Sequence, residues 1–171
     1  MTFVASRRAF LLAAGSLSLA GCSSAPVGFT MDGGPGFYKR LNARAEKVDA
    51  VSARDMISIY RTNNGLSALS LDPALMDAAQ DQAMAMARAD RMSHDIGGSL
   101  QSRLWNKLDH KTATENVGAG YYTLAEAFSG WRESPSHNKN MLNPAMRRMG
   151  IATAYVAESK YKVFWALILT D

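Results

Sequence analysis

Thr123-Leu124-Ala125-Glu126-Ala127-Phe128-Ser129-Gly130-Trp131-Arg132-Glu133-Ser134-Pro135-Ser136-His137 carries a start signal, a periodic face and a stop. Thr123 and Glu126 form a capping box, in which each side chain satisfies the other residue's orphan backbone N–H. Leu124, Ala127, Phe128 and Trp131 follow at helical spacing, so one face is apolar. Pro135 ends the helix, because the residue before a proline is pushed away from α geometry. Downstream, Gly150–Ala157 and Tyr161–Thr170 are β-rich runs separated only by Glu158-Ser159-Lys160, which predicts an antiparallel hairpin. Upstream, residues 112–118 supply a further short strand. Residues 53–62 carry Met56, Ile57, Ile59 and Tyr60 and stop at Asn63-Asn64-Gly65, a helix with a C-terminal stop. Asp72-Pro73 is an N-cap with proline at the first helical position. Met76, Ala79, Ala83 and Met86 then repeat on one face, predicting a helix over 73–91. Helices before and after a small, mainly antiparallel sheet predict an α/β/α sandwich.

The 171 residues are 47% hydrophobic and 20% charged with five prolines, the composition of one globular domain rather than a disordered or collagen-like chain. The formal charge is +4, from 19 Lys and Arg against 15 Asp and Glu. Arg7 and Arg8 are the only basic residues, and no acid occurs, in positions 1–21; without them 17 basic residues face 15 acidic ones, or +2. That is no nucleic-acid footprint. Ser6-Arg7-Arg8-Ala9-Phe10-Leu11-Leu12 opens an apolar stretch that exits through Leu19-Ala20-Gly21-Cys22, which reads as an export signal over 1–21. The first part resembles a twin-arginine signal. The exit resembles a bacterial lipobox, whose cysteine is acylated and becomes the mature N-terminus. Cys22 is the only cysteine, so a disulfide framework is excluded. Residues 22–38 read as a flexible tether, rich in Gly, Ser and Pro, holding a domain over 39–171 off a membrane.

Three polar motifs lie far apart in the chain: Met92-Ser93-His94-Asp95, Glu115-Asn116-Val117, and Trp131-Arg132-Glu133-Ser134-Pro135-Ser136-His137 running through Met141-Leu142 to Gly150-Ile151. In this order they resemble the bacterial branch of the CAP superfamily, the SCP-like domains of cysteine-rich secretory proteins, antigen 5 and plant pathogenesis-related proteins. The resemblance spans residues 50–170 and implies an α/β/α sandwich. It also implies a cleft lined by two histidines and two acids. His94, Glu115 and His137 match three of the four; the second acid's position is Ser134, with Glu133 beside it. Two His and one Glu are also a ligand set for zinc with one open position.

Other prominent residues read more simply. Trp131 fills the core between helix and sheet, and Tyr161, Val163 and Trp165 suit a sheet face. Arg147-Arg148 suits a solvated turn and His110 a loop. Ser134 lacks a Gly-x-Ser-x-Gly elbow, which argues against a serine nucleophile. Two functions remain. One is an exported lipoprotein of the bacterial cell envelope, anchored to a membrane through Cys22, whose His/Glu/His cleft binds a lipid, glycan, peptide or protein. The other is a metal-dependent hydrolase with a divalent ion such as zinc on His94 and His137 and Glu115 as base. The first is favoured, because no third protein ligand or His-Glu-x-x-His helix is evident.

Overall fold

The computed structural model describes residues 36–105 and 107–171; the export signal, Cys22 and the tether as far as Pro35 lie outside them. A 3-10 turn (Gly36–Tyr38) leads to α1 (Ala50–Asn63), β1 (Ser70–Leu71), α2 (Pro73–Ala89), α3 (Leu100–Leu104), β2 (Ala113–Ala119), α4 (Leu124–Glu133), α5 (Pro135–Met141), β3 (Arg148–Tyr155) and β4 (Val163–Thr170). The sheet order is β1-β3-β4-β2. β3 and β4 form the predicted hairpin, with Arg148 opposite Thr170 and Tyr155 opposite Val163. β2 pairs antiparallel to β4, whereas the two-residue β1 pairs parallel to β3.

β4 is apolar at almost every position because it is central and covered on both faces. Val163, Trp165, Leu167 and Leu169 face a layer holding Ala53 and Ile57 of α1, Leu124, Ala127 and Trp131 of α4, and Met141 of α5. Phe164, Ala166 and Ile168 face Leu75, Ala79, Ala83 and Met86 of α2 and Leu104 at the end of α3. The period-two alternation of a strand thus divides one run between two cores. This is the α/β/α sandwich.

The local signals act as chemistry requires. Asp72 Oδ1 accepts from the N–H groups of Ala74 and Leu75 behind Pro73. Thr123 and Glu126 make both halves of the capping box. Asp49 caps α1, which starts at Ala50, three residues before the predicted start, and α2 ends at Ala89 because Asp90 turns left-handed at φ 46°. Pro135 does more than stop a helix: α4 ends at Glu133 and proline opens α5 in its first turn.

Several expectations need correction. Arg148 is not on a solvated turn; it lies in β3, bonds the carbonyls of Asp171 and Asp109, and pairs with Asp72 at 3.2 Å. Its side chain thus ties Asp171 to the loop at Asp109 at one end of the strands. Ile59 is on the solvent side of α1 at 61% exposure. Tyr161 precedes β4 and packs with the α2 layer, so it shares no face with Trp165. Folded structure also begins before residue 39, since Phe37 packs against the α1/α4 core.

Candidate functional site

β2 is an edge strand, and its pleat decides the site. Successive side chains point to opposite faces. Glu115 accordingly reaches Arg103 of α3, and Asn116 reaches α5, where its Nδ2 donates to the His137 carbonyl at 3.0 Å. The two histidines therefore come from opposite helical layers and flank the same free edge. Asn140 Nδ2 donates to the Glu115 carbonyl (3.0 Å) and to Asn116 Oδ1 (2.9 Å), so α5 covers edge groups that would otherwise lack partners.

The Glu115 carboxylate is almost fully enclosed, at 2% side-chain exposure. Oε2 lies 2.9 Å from His94 Nδ1, and Oε1 accepts from Arg103 Nη2 at 2.8 Å. Arg103 also donates from Nε to the Gly98 carbonyl and from Nη2 to the His94 carbonyl. One guanidinium thus fixes the 94–98 loop and balances the buried charge behind it.

His94 is half-exposed, at 52% for its side chain. The Glu115 hydrogen bond is the main influence raising its pKa; burial opposes it, and the charges of Glu115 and Asp95 assist. With Nδ1 held by the carboxylate, a neutral His94 presents Nε2 as an acceptor to solvent, and a protonated one presents a donor. His137, half-buried on α5, is shifted the other way, first by burial and then by the positive charge of His94. The pair thus favours one charged and one neutral ring.

The remaining sequence candidates stand apart from this cluster. Ser134 occupies the N-cap position of α5 without a side-chain cap bond, and its Oγ lies 3.3 Å from Ser136 Oγ, not against a histidine. Glu133 is 75% exposed and lies 3.9 Å from Arg132. His110 is a loop residue whose Nδ1 approaches the Leu108 carbonyl. Trp131 is core, with Nε1 donating to the Val117 carbonyl.

Zinc does not fit here as a catalytic ion. Among the described residues no three His, Cys, Asp or Glu side chains are grouped to hold a metal. His94 and His137 are two donors at most, against the three protein ligands usual in catalytic zinc sites. Both oxygens of Glu115 are already taken, so it is poorly placed as a water-activating base.

Arg103 and Asn140 escaped sequence reading. Both belong to short helices, and neither type signals chemistry by spacing. The alternation of β2 and the need to neutralise Glu115 were the only clues.

The model of the CAP cysteine-rich secretory protein family matches residues 54–169. This chain belongs to the CAP family. It is 26% identical over 125 residues to the uncharacterised protein YkwD of Bacillus subtilis (strain 168), covering 68% of this chain and 49% of YkwD. An extracellular SCP-domain protein of Bacillus anthracis str. Ames aligns with a TM-score of 0.62 and 26% identity, over 71% of this chain and 39% of that one. An outer surface protein of Borrelia burgdorferi shares the fold, with a TM-score of 0.63 at 18% identity, over 74% of this chain and 97% of that one. The chain thus spans about half of YkwD's length and less of the Bacillus anthracis protein's.

Proposed function

We propose that this CAP-domain protein is exported, anchored to the bacterial cell envelope by lipid on Cys22, and binds an envelope partner at the edge flanked by His94, Glu115 and His137. The observation that carries the binding reading is the commitment of Glu115. A carboxylate that is 2% exposed and bonded to both Arg103 and His94 orients groups; it does not exchange protons with substrate. What faces outward is an imidazole of adjustable charge beside one held neutral, a recognition surface that both donates and accepts. Export is supported by the Arg7-Arg8 and Leu19-Ala20-Gly21-Cys22 motifs and by the extracellular or surface character of two structural relatives. No helix among the described residues is long and apolar enough to cross a membrane.

Two measurements test this. The wild-type protein should fractionate with membranes and the Cys22→Ser form should be released, because two or more acyl chains anchor stably where one is marginal. A Cys22→Ser protein that stays wholly in the membrane fraction overturns the anchor. The released form should then co-sediment with isolated cell-wall material, and His94→Ala/His137→Ala should abolish that. Retention unchanged in the double variant, or no retention by cell-wall material, overturns the cleft. Stoichiometric zinc in the gently purified protein would favour the hydrolase instead.

A further inference from the structure

The free edge of β2 has a counterpart on the far side of the sheet. β1 covers β3 only at Arg148 and Met149, so the rest of β3 is itself an edge. The Val156 N–H bonds the Lys162 carbonyl, whereas the Met149 carbonyl accepts from Asp72. Even-numbered residues of β3 therefore turn their main chain to β4, and odd-numbered ones turn it outward. A bare edge invites pairing, and most of this one is sealed. Beyond Met149, the Ile151 N–H donates to Met76 Sδ at 3.3 Å, and the Thr153 carbonyl accepts from Gln80 Nε2 at 3.4 Å. Tyr155 is the exception: among the described residues no group bonds its N–H or its carbonyl.

A groove of about 790 Å³ opens at this end, a volume in the range of ligand sites. The four consecutive residues from Thr153 to Val156 line it. Neighbours along a strand point to opposite faces: Ala154 and Val156 pack with the α2 layer, and Tyr155 packs with the α1/α4 layer. A groove that touches all four runs along the strand's edge rather than over one face. Met84, Ala87 and Arg88 of α2 form one wall. Arg44 and Lys47 form the other, on a segment held by Val48 N–H donating to Thr153 Oγ1 at 3.2 Å. No acid lines the groove, and among the described residues none of the three cations is in an ion pair. Glu46 is spent on the N–H groups of Asn42 and Ala43, and Asp77 lines a separate hollow towards Ile151.

We infer that this edge is a docking site for an acidic peptide, which adds to the sheet as a further strand beside Tyr155. A peptide main chain supplies both an acceptor for the Tyr155 N–H and a donor for its carbonyl, which an acyl chain cannot do. Alternate side chains of an extended peptide point to the two walls, and cations stand on both, so carboxylates at successive positions are answered. Met84 and Ala87 offer apolar contact to the side-chain stems between them. The site lies across the sheet from the histidines and stands apart from any role of theirs.

The test titrates the full chain with a fluorescently labelled, end-blocked peptide of alternating Glu and Val, read by anisotropy and by the NMR signal of the Tyr155 amide. Binding should be saturable and should shift that amide. The Lys/Val counterpart should not bind. The same acidic peptide with alternate backbone nitrogens methylated, tested in both registers, keeps its charge but loses strand pairing, and one register should bind about tenfold or more weakly. Arg44→Glu/Arg88→Glu changes only exposed side chains, and should weaken binding of the parent peptide by a similar factor. His94→Ala should leave binding intact, which separates this result from the fate of the histidine edge. No saturable binding, equal binding of the Lys/Val peptide or of both methylated ones, or displacement of the acidic peptide by palmitate, overturns the inference.

Discussion

A carboxylate with 2% of its side chain exposed is stable only with its charge answered, and Glu115 has that from Arg103 and His94. Glu115→Gln removes the charge and leaves the guanidinium, still bonded to the Gly98 and His94 carbonyls, enclosed without a counter-charge. Breaking a buried pair by removing one member costs about 3–5 kcal/mol, and urea denaturation at neutral pH should show a loss of that order. The same substitution should lower the His94 pKa, since the Glu115 hydrogen bond is the largest influence raising it. An unshifted His94 with an unchanged denaturation midpoint would mean that the three groups do not meet in solution. The motif order singles out His94, Glu115 and His137 in the sequence. Arg103 was not, because an arginine that neutralises a neighbour in space leaves no periodic trace. Arg61 is a second case. It is fully buried without a carboxylate, and donates to the carbonyls of Ser67, Met141, Asn143 and Met146. It ties α1 to the turn after α5, yet in the sequence it is only a basic residue near a helix end.

At the scale of elements, the helix that covers one face of the sheet comes closer than side-chain packing would allow. A Cβ at Gly150 in β3 would overlap the backbone of Leu75 and Met76 in the first turns of α2. The contact is with main chain, so no rotamer change relieves it. Gly150→Ala should therefore force α2 off β3, at the upper end of the ~1–3 kcal/mol typical of overpacking. Gly65→Ala is the contrasting control: it meets no atom, but its φ of 73° strains a side chain. A Gly150→Ala protein that melts like wild type would show that α2 can shift freely. The sequence disclosed the elements better than their contacts. The capping box, Asp72-Pro73 and the hairpin were all readable because each is a local rule about backbone N–H groups or strand period. β1, α3 and α5 were missed, being two, five and seven residues long and too short to show a period. The parallel pairing of β1 with β3 joins residues more than seventy positions apart, and nothing local encodes it.

Over the whole molecule, the two histidines at the β2 edge make stability depend on pH in opposite senses. His94 has a raised pKa in the fold, so its contribution is fully present below the unfolded value of about 6.5 and fades as pH rises through the folded value. His137 has a lowered pKa, so the unfolded chain takes up its proton first. Its contribution is present above about pH 6.5 and fades as pH falls through the folded value. Both contributions are therefore largest near pH 6.5, and stability should decline to either side. Asp49 and Asp171, whose carboxyls are held below the ordinary range by hydrogen bonds, act only at more acidic pH, below about 4. Chemical denaturation between about pH 5 and 9 resolves the two limbs. His94→Ala should flatten the alkaline limb and also ease His137 upward, because the charge of His94 is part of what depresses it. His137→Ala should flatten the acid limb and leave the alkaline one. The two variants thus have distinguishable profiles, and a His94→Ala protein that still loses stability on the alkaline side as wild type does would remove the Glu115–His94 bond as its cause.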